Sequence, residues 1–146
     1  MRAATLISPL GPLTLTEADG QITALDWRAA PGEASSLLTE ALAQLAAYFE
    51  RRLTRFDLPL HFGTGLNEQV RRAMFAIPFG DTRTYGDLAR ALKTQAQAVG
   101  QACGANPIPI LIPCHRVLAS GGRLGGFSGG LDWKRRLLAA EGVVLL

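Results

Sequence analysis

Two closely spaced turn signals, Pro9-Leu10-Gly11-Pro12 and Ala18-Asp19-Gly20, constrain the fold of this chain most. Proline presets φ and glycine accepts positive φ, so each cluster reverses the chain within a few residues. The segments that they separate, 5–7, 13–16 and 22–27, read as short strands. Strands joined by such tight turns form a meander. Over 33–52 the apolar positions Leu37, Leu38, Leu42, Leu45, Tyr48 and Phe49 then recur at helical spacing, with Pro31-Gly32 marking the entry. That helix can cover one face of the sheet.

Residues 56–62, which include Pro59, read as an extended connector, and a boundary is expected near residue 60. Beyond it the pattern is helical. A helix over 67–77 is closed by Pro78-Phe79-Gly80. A second, over 84–92, has Thr84 as cap and Asp87 in the capping-box position. A third, over 95–103, is stopped by Gly104 and Asn106-Pro107. The second and third, joined at Lys93-Thr94, fit a helix-turn-helix pair, which lays its second helix along a DNA groove. A short strand over 116–118, a turn at 120–122 and a glycine-rich loop over 124–130 follow. A last helix starts near Leu131, carries Trp133, Leu137 and Leu138, and ends at Gly142. The fold class expected is α+β, with domains 1–60 and 61–146.

With 146 residues, 48% of them hydrophobic, the chain can bury one sizeable core or two small ones. No segment approaches the roughly 18 apolar residues of a membrane span, and the N-terminus lacks a long apolar stretch, so no membrane partner and a cytoplasmic location are expected. Cys103 and Cys114 are too few for a disulfide scaffold. With only His61 and His115 beside them they form no zinc-ligand spacing, so reduced thiols and no metal are expected. Cys103 reads as a small apolar filler on a helix. Charge is unevenly distributed: residues 1–60 hold five arginines against seven carboxylates, a net −2, and residues 61–146 hold ten cations against five carboxylates, a net +5. The basic half contains Cys114, and its sign suits a polyanionic partner.

The chemistry centres on Asn106-Pro107-Ile108-Pro109-Ile110-Leu111-Ile112-Pro113-Cys114-His115-Arg116-Val117, followed by Gly125-Gly126-Phe127-Ser128-Gly129-Gly130-Leu131. A cysteine is a useful nucleophile only as thiolate, so a neighbouring base or positive charge must draw off its proton. His115 stands next to it. This combination closely resembles the active-site signature of the O6-alkylguanine-DNA alkyltransferases, also called methylated-DNA-protein-cysteine methyltransferases. The resemblance covers nearly the whole chain, from the Ser8-Pro9-Leu10-Gly11-Pro12-Leu13 turn onward. It implies a small RNase H-like sheet-plus-helix domain followed by a helical, winged helix-turn-helix domain that binds DNA and carries the chemistry.

Moving an alkyl group from a guanine oxygen to sulfur needs a thiolate, a means of protonating the leaving base, and a pocket that holds the carbon in line. His115 can accept the thiol proton directly or through a water. By resemblance Glu141, 27 residues beyond Cys114, completes a Cys-water-His-Glu relay. Asn106 then organises the loop carrying the thiol. Tyr85 donates its hydroxyl to a ring nitrogen of the flipped guanine, the Val117 carbonyl reads the guanine amino group, Phe127 walls the pocket and Ser128 binds the base oxygen. Many relatives have tyrosine where this chain has Phe127. A base in a duplex must be extruded first, at a cost of a few kcal/mol.

The DNA-contacting residues implied are Gln97, Ala98 and Arg116. Relatives insert an arginine into the vacated space, and this chain has Gln97 there, with no lysine or arginine between Lys93 and Arg116. Gln97 can hydrogen-bond to an orphaned cytosine but brings no charge, which leaves the electrostatic part to Arg90 or Lys93. Stoichiometric, irreversible transfer to Cys114 is the first expectation, with alkylated DNA as partner, no cofactor and a monomeric protein. A non-catalytic module that senses the lesion is the alternative, suggested by Gln97. A cysteine hydrolase lacks an oxyanion-hole motif or a further histidine to support it.

Overall fold

The computed structural model describes residues 1–125 and 130–144 of the chain, which separates into two compact units, Met1–His61 and Phe62–Leu146. The fold is α+β. In the first unit β1 (Arg2–Ser8), β2 (Gly11–Ala18) and β3 (Gln21–Asp26) form an antiparallel meander in that order. The strands are longer than their apolar segments because pairing continues to the turns: Ser8 faces Gly11, and Ala18 faces Gln21. Leu13 and Leu15 point to one face, where Leu38, Ala41, Leu45 and Tyr48 of α1 (Ser36–Phe49) are also buried. Burial of these side chains, roughly 1.5–3 kcal/mol each, holds this unit together.

The first helix begins later than its periodicity alone suggests, because Ser35 caps it, accepting from the Leu38 N–H at 3.1 Å. Glu33 is thereby freed to pair with β1, its carbonyl accepting from the Ala3 N–H at 3.1 Å. The connector is also tied to the sheet. Pro59 offers its carbonyl to Ile22, and His61 donates its backbone N–H to the Ile22 carbonyl.

The second unit holds α2 (Gly65–Phe75), β4 (Arg83–Thr84), α3 (Tyr85–Leu92), α4 (Ala96–Gly104), β5 (Val117–Leu118) and α5 (Leu131–Ala140). Thr84 caps α3 through a complete capping box: its hydroxyl accepts from the Asp87 N–H at 3.0 Å, and the Asp87 carboxylate accepts from the Thr84 N–H at 2.9 Å. The same Thr84 ends β4, which pairs in parallel with β5. One residue therefore fixes both where α3 starts and how it sits beside the segment following Cys114. α3 ends at Lys93, which takes the left-handed conformation at φ 56° usually given to glycine. Val99, Ala102 and Cys103 of α4 and Val70 and Met74 of α2 are buried, with the Cys103 thiol donating to Met74 Sδ at 3.5 Å. No helix among the described residues is long and apolar enough to cross a membrane.

Candidate active site

Two successive γ-turns deliver Cys114. The Leu111 N–H donates to the Pro109 carbonyl at 2.9 Å across Ile110, whose φ is +72°, and the Cys114 N–H donates to the Ile112 carbonyl at 2.8 Å across Pro113. Positive φ at a β-branched residue is strained. The strain is tolerated because Ile108, Ile110, Leu111 and Ile112 are each buried to within about 1% of full exclusion, and the loop is braced from inside. Asn106 donates from Nδ2 to the Ile112 carbonyl at 3.0 Å and accepts on Oδ1 from the Ile108 N–H at 3.1 Å, which fixes the amide's orientation. A buried apolar loop needs such a partner for its backbone.

Cys114 begins a three-residue 3-10 turn with His115 and Arg116, and all three are buried. Burial pushes the Cys114 thiol above its ordinary range, against the Asn106 side chain, the Lys134 charge and its own backbone N–H, which pull it down. Burial likewise pushes His115 below its ordinary range, opposed by Glu141 and aided by the Arg116 and Lys134 charges. Both shifts favour a resting pair of neutral thiol and neutral imidazole. His115 Nε2 lies 2.7 Å from Glu141 Oε2 and, in the neutral ring, donates to it. Nδ1 is then the acceptor; it is buried and has no hydrogen-bond partner. The sulfur and the ring are not directly hydrogen-bonded, so of the two routes considered for the thiol proton the direct one is not set up in this geometry.

Glu141, at the C-cap of α5 and 4% exposed, also meets Arg116: Oε1 accepts from Nε at 2.8 Å and Oε2 from Nη2 at 3.0 Å. The third arm of that guanidinium, Nη1, donates to the Ile77 carbonyl at 2.7 Å. This corrects the reading of Arg116 as a DNA contact. Its side chain points inward as a bidentate clamp on the carboxylate, since a buried carboxylate needs a paired, hydrogen-bonded cation.

Lys134 escaped the sequence reading. It is fully buried and donates from Nζ to the Val117 carbonyl at 2.7 Å, the carbonyl expected to read guanine. Burial lowers its pKa, and the charges of Cys114 and Cys103 raise it. The signal was available: Lys134, Leu137, Leu138 and Glu141 fall on one helical stripe at i, i+3, i+4 and i+7, so the lysine had to face the core.

Tyr85, half-buried, is the first residue of α3, and a Cβ on Gly125 would lie 3.0 Å from its hydroxyl. Glycine at that position, with φ +68°, lets the loop backbone approach the phenol. Phe127 and Ser128 lie outside the described residues. Gln97 is exposed and Ala98 half-buried in the first turn of α4, where Gln95 makes no side-chain cap. Exposed cations nearby are Lys93 and Arg90, the latter 2.6 Å from Asp87. The structure thus joins His115, Glu141 and Arg116 directly, ties Asn106 to the Cys114 loop, and leaves Gln97 at the surface.

Comparison with known proteins agrees across both units. A family model described as "6-O-methylguanine DNA methyltransferase, ribonuclease-like domain" matches residues 1–62, and one described as "6-O-methylguanine DNA methyltransferase, DNA binding domain" matches residues 65–143. A Mycobacterium tuberculosis protein named methylated-DNA–protein-cysteine methyltransferase is 41% identical, covering 94% of this chain and 90% of its own. A namesake from Metallosphaera sedula is 37% identical over 99% and 96%. Among solved structures, M. tuberculosis OGT in complex with DNA superposes with a TM-score of 0.87 at 39% identity, covering 97% of this chain and 92% of that one.

Proposed function

Because the chain belongs to the methylated-DNA–protein-cysteine methyltransferase family, we propose that it repairs O6-alkylguanine in DNA by moving the alkyl group irreversibly to Cys114. The carrying observation is the His115–Glu141 contact of 2.7 Å, with Nδ1 of the same ring unpartnered one residue from the thiol. A carboxylate holding Nε2–H leaves Nδ1 basic, the arrangement a cysteine needs to lose its proton.

In the reaction the Cys114 thiol proton passes through a bridging water to His115 Nδ1, and Glu141 stabilises the imidazolium. Sulfur attacks the alkyl carbon, the C–S bond forms, and the C–O bond breaks with its electron pair going to the guanine. Tyr85 donates its hydroxyl proton to the departing base and regains one from the His115 imidazolium through water, so the thiol's proton ends on the base and the products are guanine, S-alkyl-Cys114 and a neutral His115. A thioether has no comparable leaving group, so one protein molecule repairs one lesion. Every atom is supplied by thiol and lesion, and no cofactor enters. Asn106 positions the nucleophile's loop and Val117 lines the base pocket, the pocket to which the family resemblance also assigns Phe127 and Ser128. Lys134 on the Val117 carbonyl narrows where that carbonyl can point. Gln97 and Ala98 face the DNA, with phosphate contact from the uncapped N-terminus of α4. We place the protein in the cytoplasm as a monomer. Cys114, His115 and Glu141 together speak against a purely lesion-sensing role.

The test is incubation with DNA containing O6-methylguanine, then mass analysis of the Cys114 peptide. Gain of one methyl group with loss of the lesion is expected. An unmodified peptide beside intact lesion, with binding unchanged in Cys114→Ser, would overturn catalysis and favour the sensing reading.

A further inference from the structure

One buried charge lies outside the group described above. Arg71, on α2, is 7% exposed; its Nε has no hydrogen-bond partner, and among the described residues no carboxylate pairs with it. A buried guanidinium ordinarily sits against an anion, and an apolar residue of similar size would fill the space at lower cost. Arg71 instead directs both terminal nitrogens at backbone: Nη1 donates to the Phe62 carbonyl and Nη2 to the Ala105 carbonyl, each at 3.2 Å. Room for it is built in, since a Cβ at Gly63, φ +88°, would lie 2.6 Å from Nη1.

The second carbonyl matters most. Ala105 is the C-cap of α4, so the guanidinium gives that helix end a donor for an orphan carbonyl and a positive charge against its negative pole. The next residue is Asn106. Its amide spans the loop from Ile108 to Ile112, and a hydrogen bond from the same side chain is among the influences that pull the Cys114 thiol down. Any tilt of the Ala105–Asn106 peptide swings that amide, because the side chain leaves the backbone one bond away.

We propose that Arg71 is a positioning residue for Cys114: by holding the Ala105 carbonyl it sets the peptide from which the Asn106 side chain reaches the loop and the thiol. This role rests on the repair reading only for the meaning of Cys114 reactivity, since the contacts are made without DNA. The fork is required. A lysine ammonium presents its three donors from a single nitrogen and cannot reproduce the two separated nitrogens, Nη1 and Nη2, that meet the two carbonyls.

The test compares parent, Arg71→Met and Arg71→Lys by iodoacetamide labelling from pH 6 to 10, with Cys114 and Cys103 resolved as separate peptides. Cys103, whose thiol is pushed up to about 12 by burial, reports general loosening of the unit. In folded Arg71→Met the Cys114 labelling rate should fall about tenfold at every pH on its rising limb, the equivalent of an upward shift of about one pH unit, while Cys103 labelling stays slow. Arg71→Lys should fall between the two. An unchanged Cys114 rate across the scan in folded Arg71→Met, or equal acceleration of both cysteines, overturns the proposal. If Arg71→Met fails to fold, Arg71→Lys decides, and a profile superimposing on the parent's overturns it. Transfer from methylated DNA by the parent is scored separately, so failure of the repair reading is distinguishable.

Discussion

At the scale of single residues, the site is a set of charges removed from water and made to answer one another. Glu141 accepts from His115 and from two nitrogens of Arg116, so its two oxygens are shared between holding a ring and holding a guanidinium. Removing the charge by Glu141→Gln leaves Arg116 without its anion and the imidazolium without a stabiliser. Single-turnover transfer should slow by about a hundredfold or more; a rate within a few-fold of the parent would remove Glu141 from the relay. The resting thiol carries its own prediction. Burial places Cys114 above the ordinary thiol range, so iodoacetamide labelling of the free protein should keep rising with pH beyond neutrality. A plateau already reached in mildly acidic solution would show a thiolate at rest. Cys114 and His115 could be read from their adjacency, whereas Glu141, 27 residues on, and the loop role of Asn106 came from the family resemblance. Sequence reading misassigned Arg116, whose direction depends on a carboxylate 25 residues away.

At the scale of elements, Thr84 and α4 carry most of what can be tested. Thr84→Ala removes a hydroxyl cap and one half of a reciprocal pair, which should destabilise the protein by about 1 kcal/mol in urea unfolding. Because Tyr85 is the next residue, transfer should slow as well; stability loss with an unaltered rate would separate the cap from the phenol. The exposed face of α4 presents Gln95, Gln97 and Gln101 and no charge. Gln97→Arg should tighten binding to duplex and steepen the salt dependence of log K by about one unit. Its gain in transfer rate should be larger on duplex than on single strands, because only a duplex has a stacked partner to displace. Equal gains on both would dismiss that account. The helices and the meander were legible from turn residues and periodicity, but β4, two residues long and defined only by its pairing with β5, was not. Element ends shifted where a cap or bridge took a residue, as Ser35 did at the start of α1.

At the scale of the whole molecule, all the proposed reacting groups lie in the unit with the basic charge balance. Stability should depend on pH through His115. Above its ordinary value of 6.5 the imidazole is neutral folded or unfolded. As pH falls through that value the unfolded chain takes up a proton that the buried ring refuses, so stability falls by up to about 1.4 kcal/mol per pH unit until the native ring also protonates. Urea midpoints of the parent should therefore drop more steeply below pH 6.5 than those of His115→Asn. Parallel curves would mean that the ring is protonated as readily inside as outside.

Turns, caps and periodicity act over a few residues and need no partner from afar, so the helices, the meander, the α+β class and the cysteine-histidine pair could be read along the chain. Which charges are buried, and what they meet, followed from packing between distant segments: Lys134 on the Val117 carbonyl, Arg116 on Glu141 and Arg71 on Ala105. A long cation can be solvated or turned inward from the same backbone position. The choice falls to a carbonyl or carboxylate brought near by folding, whose interaction strengthens as water is excluded.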